Sequence, residues 1–387
     1  MIENPAPHYG LADVLRKGLP RYLQRFGSLP YDTFRVLNAI MACRTNAAGA
    51  HRNRCPHCGY TEIAYNSCRN RHCPRCQAHK AQLWSQARTN ELLPLPYFHV
   101  VFTIPHQLNG IALQNRECFY NLLFRAVAET LTTLGADPKR LGGQVGFFAV
   151  LHTWTQTLME HPHVHVVIPG GGIKPDKAGF KRSRPDYLFP VKAMSALFRG
   201  KLLSFFKNAV RQGHITFHGS LAALQHPVRF QDLLDTLYHT NFVVYAKRTF
   251  AGPAQVVEYL SRYTHRVALG DRRIIDITDT SVTFTWRDRA DRNTVKPMTL
   301  DIVEFLRRFF MHVLPSGFVK IRYFGFMANA IRKKTLARCL DLLNSAYIDM
   351  IKKSDLRQQW INYGRHCPHC NQAKMIFDCR VSIRHTG

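Results

Sequence analysis

The stretch "MEHPHVHVVIPGGG" (residues 159–172) places His161, His163 and His165 at alternating positions before a run of valines. β-Branched residues favour a strand, in which residues i and i+2 point to the same face of the sheet. His163 and His165 are therefore expected to lie side by side, an arrangement that suits a metal ion. The same spacing also fits a pair of core or surface histidines. The three glycines that follow lack the G-K-[ST] of a phosphate-binding loop, so we interpret them as a turn.

The composition indicates a folded protein that binds a polyanion. The chain has 387 residues, of which 46% are hydrophobic, enough to bury a sizeable core in about two to three domains. Lys and Arg number 53 against 25 Asp and Glu, which gives a net charge of +28 spread along the chain. Nucleic acid is the usual partner of such a protein. A ribosomal or architectural nucleic-acid binder is the alternative, although such proteins are seldom this large.

The sequence gives no indication of a membrane or secreted protein. It has no run of about 18 uncharged apolar residues, and its first residues, "MIENPAPHYG", resemble no signal peptide. We expect a cytoplasmic protein that associates with the bacterial nucleoid through DNA.

The eleven cysteines suggest zinc rather than a disulfide framework. Residues 55–76 read "CPHCGYTEIAYNSCRNRHCPRC", in which Cys55/Cys58 and Cys73/Cys76 form two C-P-x-C knuckles. This spacing predicts one closed, structural zinc site with four thiolate ligands. The residues between the knuckles include two that could substitute as ligands, Cys68 and His72. A further "CPHC" (Cys367, Cys370), with Cys379 nearby, is either a second zinc site or a knuckle without a partner.

The order of the predicted elements favours an α+β fold with a central antiparallel sheet and flanking helices, preceded by a helical zinc-binding module. We predict helices in residues 1–50, 78–93, 116–135, 195–211, 253–268 and much of 300–350. We predict strands at 97–105, 143–156 and 159–169, and a hairpin within 272–288. The expected domains are an N-terminal zinc-binding domain (1–95), a domain that contains the central sheet (96–299) and a helical C-terminal region (300–387).

A second informative stretch is "AGPAQVVEYLSRYTHRVALG" (residues 251–270). Pro253 suits the first turn of a helix and Gly270 its end. Tyr259 and Tyr263 are four residues apart and therefore share one helix face. The simplest interpretation is two core tyrosines. Alternatively, a tyrosine hydroxyl attacks a phosphodiester that a histidine-bound divalent metal polarises.

Together these motifs resemble the HUH superfamily of single-strand DNA endonucleases, and most closely the two-tyrosine rolling-circle transposases of the insertion sequence 91 family. The resemblance rests on "SCRNRHCPRCQ", "LHTWTQTLMEHPHVHVVIPGGG" and "YLSRYTHRVA", in that order, and covers essentially the whole chain. The strand "VVFTIP" (residues 100–105) resembles the first motif of such nucleases.

The resemblance implies that residues 96–299 form an HUH nuclease domain in which His163 and His165 hold Mg²⁺ or Mn²⁺. Related nucleases add a Gln, Glu or His, for which we prefer Gln156 over His152 and Glu160. Tyr259 and Tyr263 are then the nucleophiles, and cleavage of single-stranded transposon ends leaves a 5′-phosphotyrosine. Contacts to DNA are expected from basic residues of the zinc module, the loop 174–190 and the tyrosine helix: Arg69, Arg71, Arg75, Lys181, Arg182, Arg184, Arg262 and Arg266.

Two other functions are compatible with the sequence. An HUH replication initiator or relaxase would share the chemistry and act on a different DNA site. A non-catalytic, zinc-dependent DNA-binding protein would use the same histidines and tyrosines as structural residues.

Overall fold

The structure, a computed structural model, describes residues 9–248, 257–258, 268–343 and 365–381. The chain divides into two compact units. Unit 1 comprises Met1–Lys80, His265–Phe310 and Ile348–Gly387, and unit 2 comprises Ala81–Thr264 and Met311–Tyr347. Both units thus combine segments that are distant in the sequence. The three-part domain division expected from the sequence stays a prediction.

The described residues form a mixed α+β structure, as the sequence predicts. The helices are α1 (Leu11–Phe26), α2 (Tyr31–Ala42), α3 (Ala78–Thr89), α4 (Asn109–Gln114), α5 (Arg116–Ala136), α6 (Val191–Arg211), α7 (Pro227–His239), α8 (Ile302–Met311) and α9 (Arg332–Leu342). The strands are β1 (Ala50–Arg54), β2 (Thr61–Tyr65), β3 (Tyr97–Thr103), β4 (Gly146–Trp154), β5 (Glu160–Pro169), β6 (Gly171–Ile173), β7 (Phe180–Arg182), β8 (Val244–Arg248), β9 (Ile274–Ile277), β10 (Ser281–Asp288), β11 (Thr294–Asp301), β12 (Ile321–Gly325) and β13 (Ile376–Val381).

Unit 1 contains two small antiparallel sheets. One has the strand order β13-β1-β2 and the other β11-β10-β9. Helix α8 buries its apolar side against the second sheet, where the rings of Phe284 and Phe305 lie 5.6 Å apart. A Cβ on Gly18 of α1 would come within 2.7 Å of Ile302, so the absence of a side chain lets α1 and α8 pack closely.

Unit 2 is built on a five-stranded sheet in the order β12-β4-β5-β3-β8, antiparallel throughout. This confirms the expected central antiparallel sheet. Alternate residues of the central strand β5, such as Val164 and Val166, pack with helices α5 and α6 in one large apolar core. His163 and His165 occupy the positions in between and therefore point to the opposite face of the sheet.

Most elements predicted for unit 2 are confirmed. Helices α5 and α6 and strands β3, β4 and β5 lie where the sequence places them. Four strands of this unit were missed. β12 lies within 300–350, which was predicted to be mostly helical, as an edge strand beside β4. β6 includes two of the three glycines interpreted as a turn, β7 lies in the loop 174–190, and β8 forms the other edge of the central sheet. The predicted helix at 253–268 lies outside the described residues, apart from Val257 and Glu258, which are helical, and Ala268, which is not.

In the described part of the chain, no helix is long and apolar enough to cross a membrane.

Candidate functional site

The histidines predicted to share a face meet a third histidine from the neighbouring strand. In the β4–β5 register His152 lies opposite His163, and Val150 opposite His165, so all three imidazoles project from the same face. One ring nitrogen of each lies within 4.8 Å of the others. The ring centroids of His152 and His165 are 4.3 Å apart, and those of His163 and His165 are 4.8 Å apart. We call His152, His163 and His165 the histidine cluster.

Hydrogen bonds fix the orientation of the two cluster histidines on β5. The Nδ1 of His163 lies 2.6 Å from the carbonyl oxygen of His161 and donates to it. This leaves Nε2 of His163 as the nitrogen that can bind a metal. The Nδ1 of His165 lies 2.8 Å from Nε2 of His99 on β3, and the two rings stack. If His165 donates in this pair, its Nε2 is likewise the nitrogen that can bind a metal.

Burial keeps the imidazole of His152 in the neutral form that binds metals. His152 is buried, and desolvation, followed by the neighbouring His163, holds its pKa well below the usual value. Desolvation also lowers the pKa of His99 to about 4. His163 is half-buried. Three imidazole nitrogens that converge on one point, with one side less buried, fit a divalent ion that keeps room for a substrate oxygen.

The residue with the best geometry for the third ligand is His152. Gln156, which the sequence argument preferred, lies half-buried in the turn between β4 and β5, and its role at the metal stays a prediction. Glu160 lies at the start of β5, opposite Trp154, and does not join the histidine cluster. Desolvation raises the pKa of Glu160 to about 7, against a smaller opposing effect of Arg116.

The predicted nucleophiles Tyr259 and Tyr263 lie outside the described residues, as do Arg262 and Arg266. Their roles stay predictions that rest on the sequence.

A cluster of four cysteines lies in unit 1, composed of Cys43, Cys68, Cys73 and Cys76. Cys43 directly follows α2, and the other three lie between β2 and α3. The sulfurs lie within 4.8 Å of one another, and those of Cys68 and Cys76 are 3.7 Å apart. Tetrahedral zinc with Zn–S bonds of about 2.3 Å separates its sulfurs by about 3.8 Å. Interactions with the Cys68 and Cys73 thiols lower the pKa of Cys76. The four residues therefore fit a closed zinc site.

The structure corrects the single zinc site predicted from Cys55, Cys58, Cys73 and Cys76. Cys73 and Cys76 lie with Cys43 and Cys68, whereas Cys55 and Cys58 lie with Cys367 and Cys370. The physical reason is strand pairing: the Cys55–Cys58 knuckle is the turn between β1 and β2, and β13 brings the C-terminal knuckle alongside β1. Cys68 is thus a cluster member, as the sequence allowed, whereas His72 belongs to neither cysteine cluster.

The basic residues predicted to contact DNA differ in their surroundings. The Nε of Arg75 lies 3.3 Å from a carboxylate oxygen of Asp271, and its Nη2 lies 3.7 Å from Asp13, so its charge is paired within unit 1. Arg71 is half-buried. The remaining described candidates are exposed: Arg69, Lys181, Arg182 and Arg184.

Two residues of these sites were not identified from the sequence. Cys43 carries no spacing signal, because it stands alone at the end of a helix. His99 could have been found from strand pairing, since Val101 lies opposite His165 and shares a sheet face with His99.

Two family models match the chain. Residues 14–104 match the "Transposase zinc-binding domain", and residues 146–335 match a domain described as "Putative transposase". The chain is 44% identical over 373 residues to "Putative transposase y4qJ" of Sinorhizobium fredii (strain NBRC 101917 / NGR234), covering 95% of this chain and 94% of that protein. It is 26% identical over 383 residues to "Transposase for insertion sequence element IS801" of Pseudomonas savastanoi pv. phaseolicola, covering 93% and 87% of the two chains. No solved structure matches the chain.

These matches place a zinc-binding segment ahead of a transposase segment, in the order that the sequence motifs predict. The chain belongs to the insertion sequence 91 family of transposases and has an N-terminal zinc-binding domain. It is therefore an enzyme that acts on DNA, which agrees with its net charge of +28.

Proposed function

We propose that this transposase is an HUH endonuclease that cleaves and rejoins single-stranded DNA at element ends in rolling-circle transposition. The observation that carries the proposal is the histidine cluster, in which three imidazoles converge from the adjacent strands β4 and β5. Transposition requires cleavage of a phosphodiester, and a divalent metal bound on the central sheet would catalyse that step. Because imidazole nitrogens suit transition ions better than Mg²⁺, we expect Mn²⁺ to support cleavage better than Mg²⁺.

The residues around the cluster hold its geometry. A bound divalent ion would polarise the scissile phosphate and stabilise the charge that develops on its oxygens. The carbonyl of His161 and the ring of His99 orient His163 and His165. The burial of His152 keeps water from that side of the site, so ligand geometry is set before DNA arrives.

The covalent step belongs to Tyr259 or Tyr263 in this proposal. The tyrosine oxygen forms a bond to phosphorus, the bond from phosphorus to the 3′-oxygen breaks, and the tyrosine proton ends on that oxygen. The products are a 5′-phosphotyrosine and a free 3′-OH. Since one phosphodiester replaces another, the reverse reaction joins strands without ATP. A second tyrosine allows a second cleavage before the first link is resolved.

We assign DNA binding mainly to lysine and arginine side chains. The exposed Lys181, Arg182 and Arg184 would contact phosphates of the unpaired strand, and Arg69 would contribute from the zinc-binding domain. Affinity should therefore fall steeply with salt concentration.

The tyrosines are tested with single-stranded oligonucleotides that carry an element end, incubated with the full chain and Mn²⁺. A label at the 3′ end of the oligonucleotide should become attached to the protein, whereas a 5′ label should stay on free DNA. Tyr259→Phe and Tyr263→Phe should each retain some attachment, and the double variant none, because phenylalanine keeps the ring but lacks the attacking oxygen. Full attachment in the double variant contradicts the proposal and favours two core tyrosines.

The histidines are tested in the same assay with His163→Ala and His165→Ala. Each should lower the cleavage rate by about a thousandfold or more, since a metal contributes several kcal/mol to the transition state. DNA affinity should hardly change, because it comes from Lys and Arg. The exposed His239→Ala serves as the control. Wild-type rates in either variant would exclude a metal at the cluster, and cleavage of plasmid origins in place of element ends would favour a replication initiator or relaxase.

A further inference from the structure

We infer that the chain holds a second zinc ion between its N-terminal and C-terminal parts, bound by Cys55, Cys58, Cys367 and Cys370. We call these residues the terminal cluster. They come from two C-P-H-C knuckles, and Cys58 and Cys367 are 309 residues apart in the sequence. The inference concerns unit 1 alone and does not depend on the proposed cleavage chemistry.

The sulfur positions fit one tetrahedral ion. The Sγ of Cys55 lies 3.7 Å from that of Cys370, and the Sγ of Cys58 lies 3.6 Å from that of Cys367. All four sulfurs lie within 4.8 Å of one another. Zinc with Zn–S bonds of about 2.3 Å requires sulfurs about 3.8 Å apart, whereas a disulfide requires about 2.05 Å. The spacing therefore matches four zinc ligands and no disulfide.

The two knuckles have the same backbone geometry. The N–H of Gly59 donates to the carbonyl of Cys55 at 3.1 Å, and that of Asn371 donates to the carbonyl of Cys367 at 2.9 Å. Both residues have positive φ, +74° at Gly59 and +54° at Asn371. Glycine and asparagine are the residues that adopt this left-handed conformation most readily. Two separate segments thus form the same tight turn, and each turns a pair of thiols towards the other pair.

Strand pairing brings the knuckles together. Strand β1 lies between β2 and β13, with Arg54 paired to Thr61 on one side and to Ile376 on the other. Ion pairs with exposed arginines and ring contacts accompany this pairing. Arg52 and Asp378 form an ion pair of 2.7 Å whose arginine is about half exposed, and such pairs contribute little. The ring of Tyr60 stacks on His369 at 5.9 Å.

The buried core around the sulfurs is too small to hold the C-terminal segment by itself. It consists of Cys55, Cys367 and Met375, with Cys370 and Ala373 packed against it. Small modules of this kind obtain their folding free energy from the metal. On binding, four thiols lose four protons and Zn²⁺ becomes a tetrathiolate with a net charge of −2. Binding should therefore weaken as the pH falls and thiolates are protonated.

The first experiment is zinc analysis of the purified full-length chain. We expect two zinc ions per chain in the wild type. Cys367→Ser with Cys370→Ser should leave one, and Cys68→Ser with Cys76→Ser should also leave one. Cys379→Ser is the matched control, since Cys379 lies on β13 and belongs to neither cysteine cluster, and should leave two. One zinc in the wild type, or two in the Cys367/Cys370 variant, overturns the inference.

The second experiment uses the wild type alone, so that misfolding of a variant cannot produce the result. The chain is alkylated with iodoacetamide before and after zinc removal by a chelator, and each cysteine is followed by mass spectrometry. Cys58 is exposed, so its protection before chelation would come from the metal and not from burial. Cys58, Cys367 and Cys370 should become reactive together after chelation. Reaction of these three at the rate of Cys379 in the zinc-loaded chain overturns the inference.

Discussion

The histidine cluster and the terminal cluster each bring candidate metal ligands together, but over different distances along the sequence. His152, His163 and His165 come from two strands that are neighbours in both sequence and space. The terminal cluster instead takes its ligands from the two ends of the chain. The first arrangement follows from the alternation of a strand, and the second follows from strand pairing that no local spacing records.

The two kinds of cluster also differ in what stabilises the residues around them. The histidines project from a sheet whose core is complete without a metal, so their loss should affect catalysis more than folding. The cysteines lie in loops and turns with little apolar packing, so their loss should affect folding first. Four predictions test this contrast, beginning with the largest expected effect.

Cys68→Ser with Cys76→Ser should unfold the zinc-binding segment, because zinc binding supplies about 10–16 kcal/mol in small zinc peptides. We expect rapid proteolysis within residues 43–77, mapped by mass spectrometry, while unit 2 stays resistant. Cys118→Ser on α5 is the control. Unchanged resistance of residues 43–77 would mean that the segment folds without zinc and would remove the contrast with the histidines.

His152→Ala should weaken Mn²⁺ binding, measured by calorimetry, by about a hundredfold or more, beyond the 10–100-fold typical of residues that only orient a ligand. Gln156→Ala should have a smaller effect if the third ligand comes from β4. The opposite order would assign the third ligand to the turn, as the sequence argument preferred.

His99→Ala should weaken Mn²⁺ binding by about 10–100-fold, because His99 orients His165 without binding the ion itself. Excess Mn²⁺ should restore cleavage, and His99→Gln, which keeps an acceptor for the Nδ1–H of His165, should lose less. The exposed His106→Ala is the control. Equal losses in the Ala and Gln variants would show that His99 acts only through packing.

Glu160→Gln should change the pH dependence of stability. The pKa of Glu160 is raised from 4.5 to about 7, so the unfolded chain loses this proton first. The folded state is therefore destabilised progressively between about pH 4.5 and 7, and the full penalty remains above that range. Solvent screening at a half-buried carboxyl reduces this penalty. The free energy of unfolding of the variant should therefore exceed that of the wild type by about 1–2 kcal/mol at pH 8 and equal it at pH 4. Thermal unfolding measures this, with the exposed Glu117→Gln as the control, and a constant difference across pH would contradict it.

The sequence predicted the elements whose patterns are local. The apolar strand at 97–105, the histidine strand and the helices at 116–135 and 195–211 have clear periodicity, and each appears in the structure. Strand β12 was missed because it is short and lies between two helices. Helix α1 contains Pro20 in its interior, and packing against α8 offsets the one backbone hydrogen bond that the proline removes.

The cysteine partners could not be predicted for a different reason. Each C-P-x-C knuckle specifies two ligands and says nothing about where the other two lie. Cys73 and Cys76 obtain theirs from Cys43 and Cys68, and two C-P-H-C knuckles with almost identical sequences pair with each other across the chain. Distance along the sequence therefore does not predict which cysteines lie in the same cluster, because strand pairing determines it.

The pairing of β1 with β13 has a consequence for the moment at which the protein is made. Strand β1 ends at Arg54 and β13 begins at Ile376, so a ribosome that adds about 5–20 residues per second needs on the order of 20–60 seconds to supply the missing partner. During that interval Cys55 and Cys58 are reduced thiols without their second pair, open to oxidation or to capture of the wrong metal. A chain that ends before Ile376 would lack β13, so its first sheet would keep only the β1–β2 hairpin and two of the four thiols.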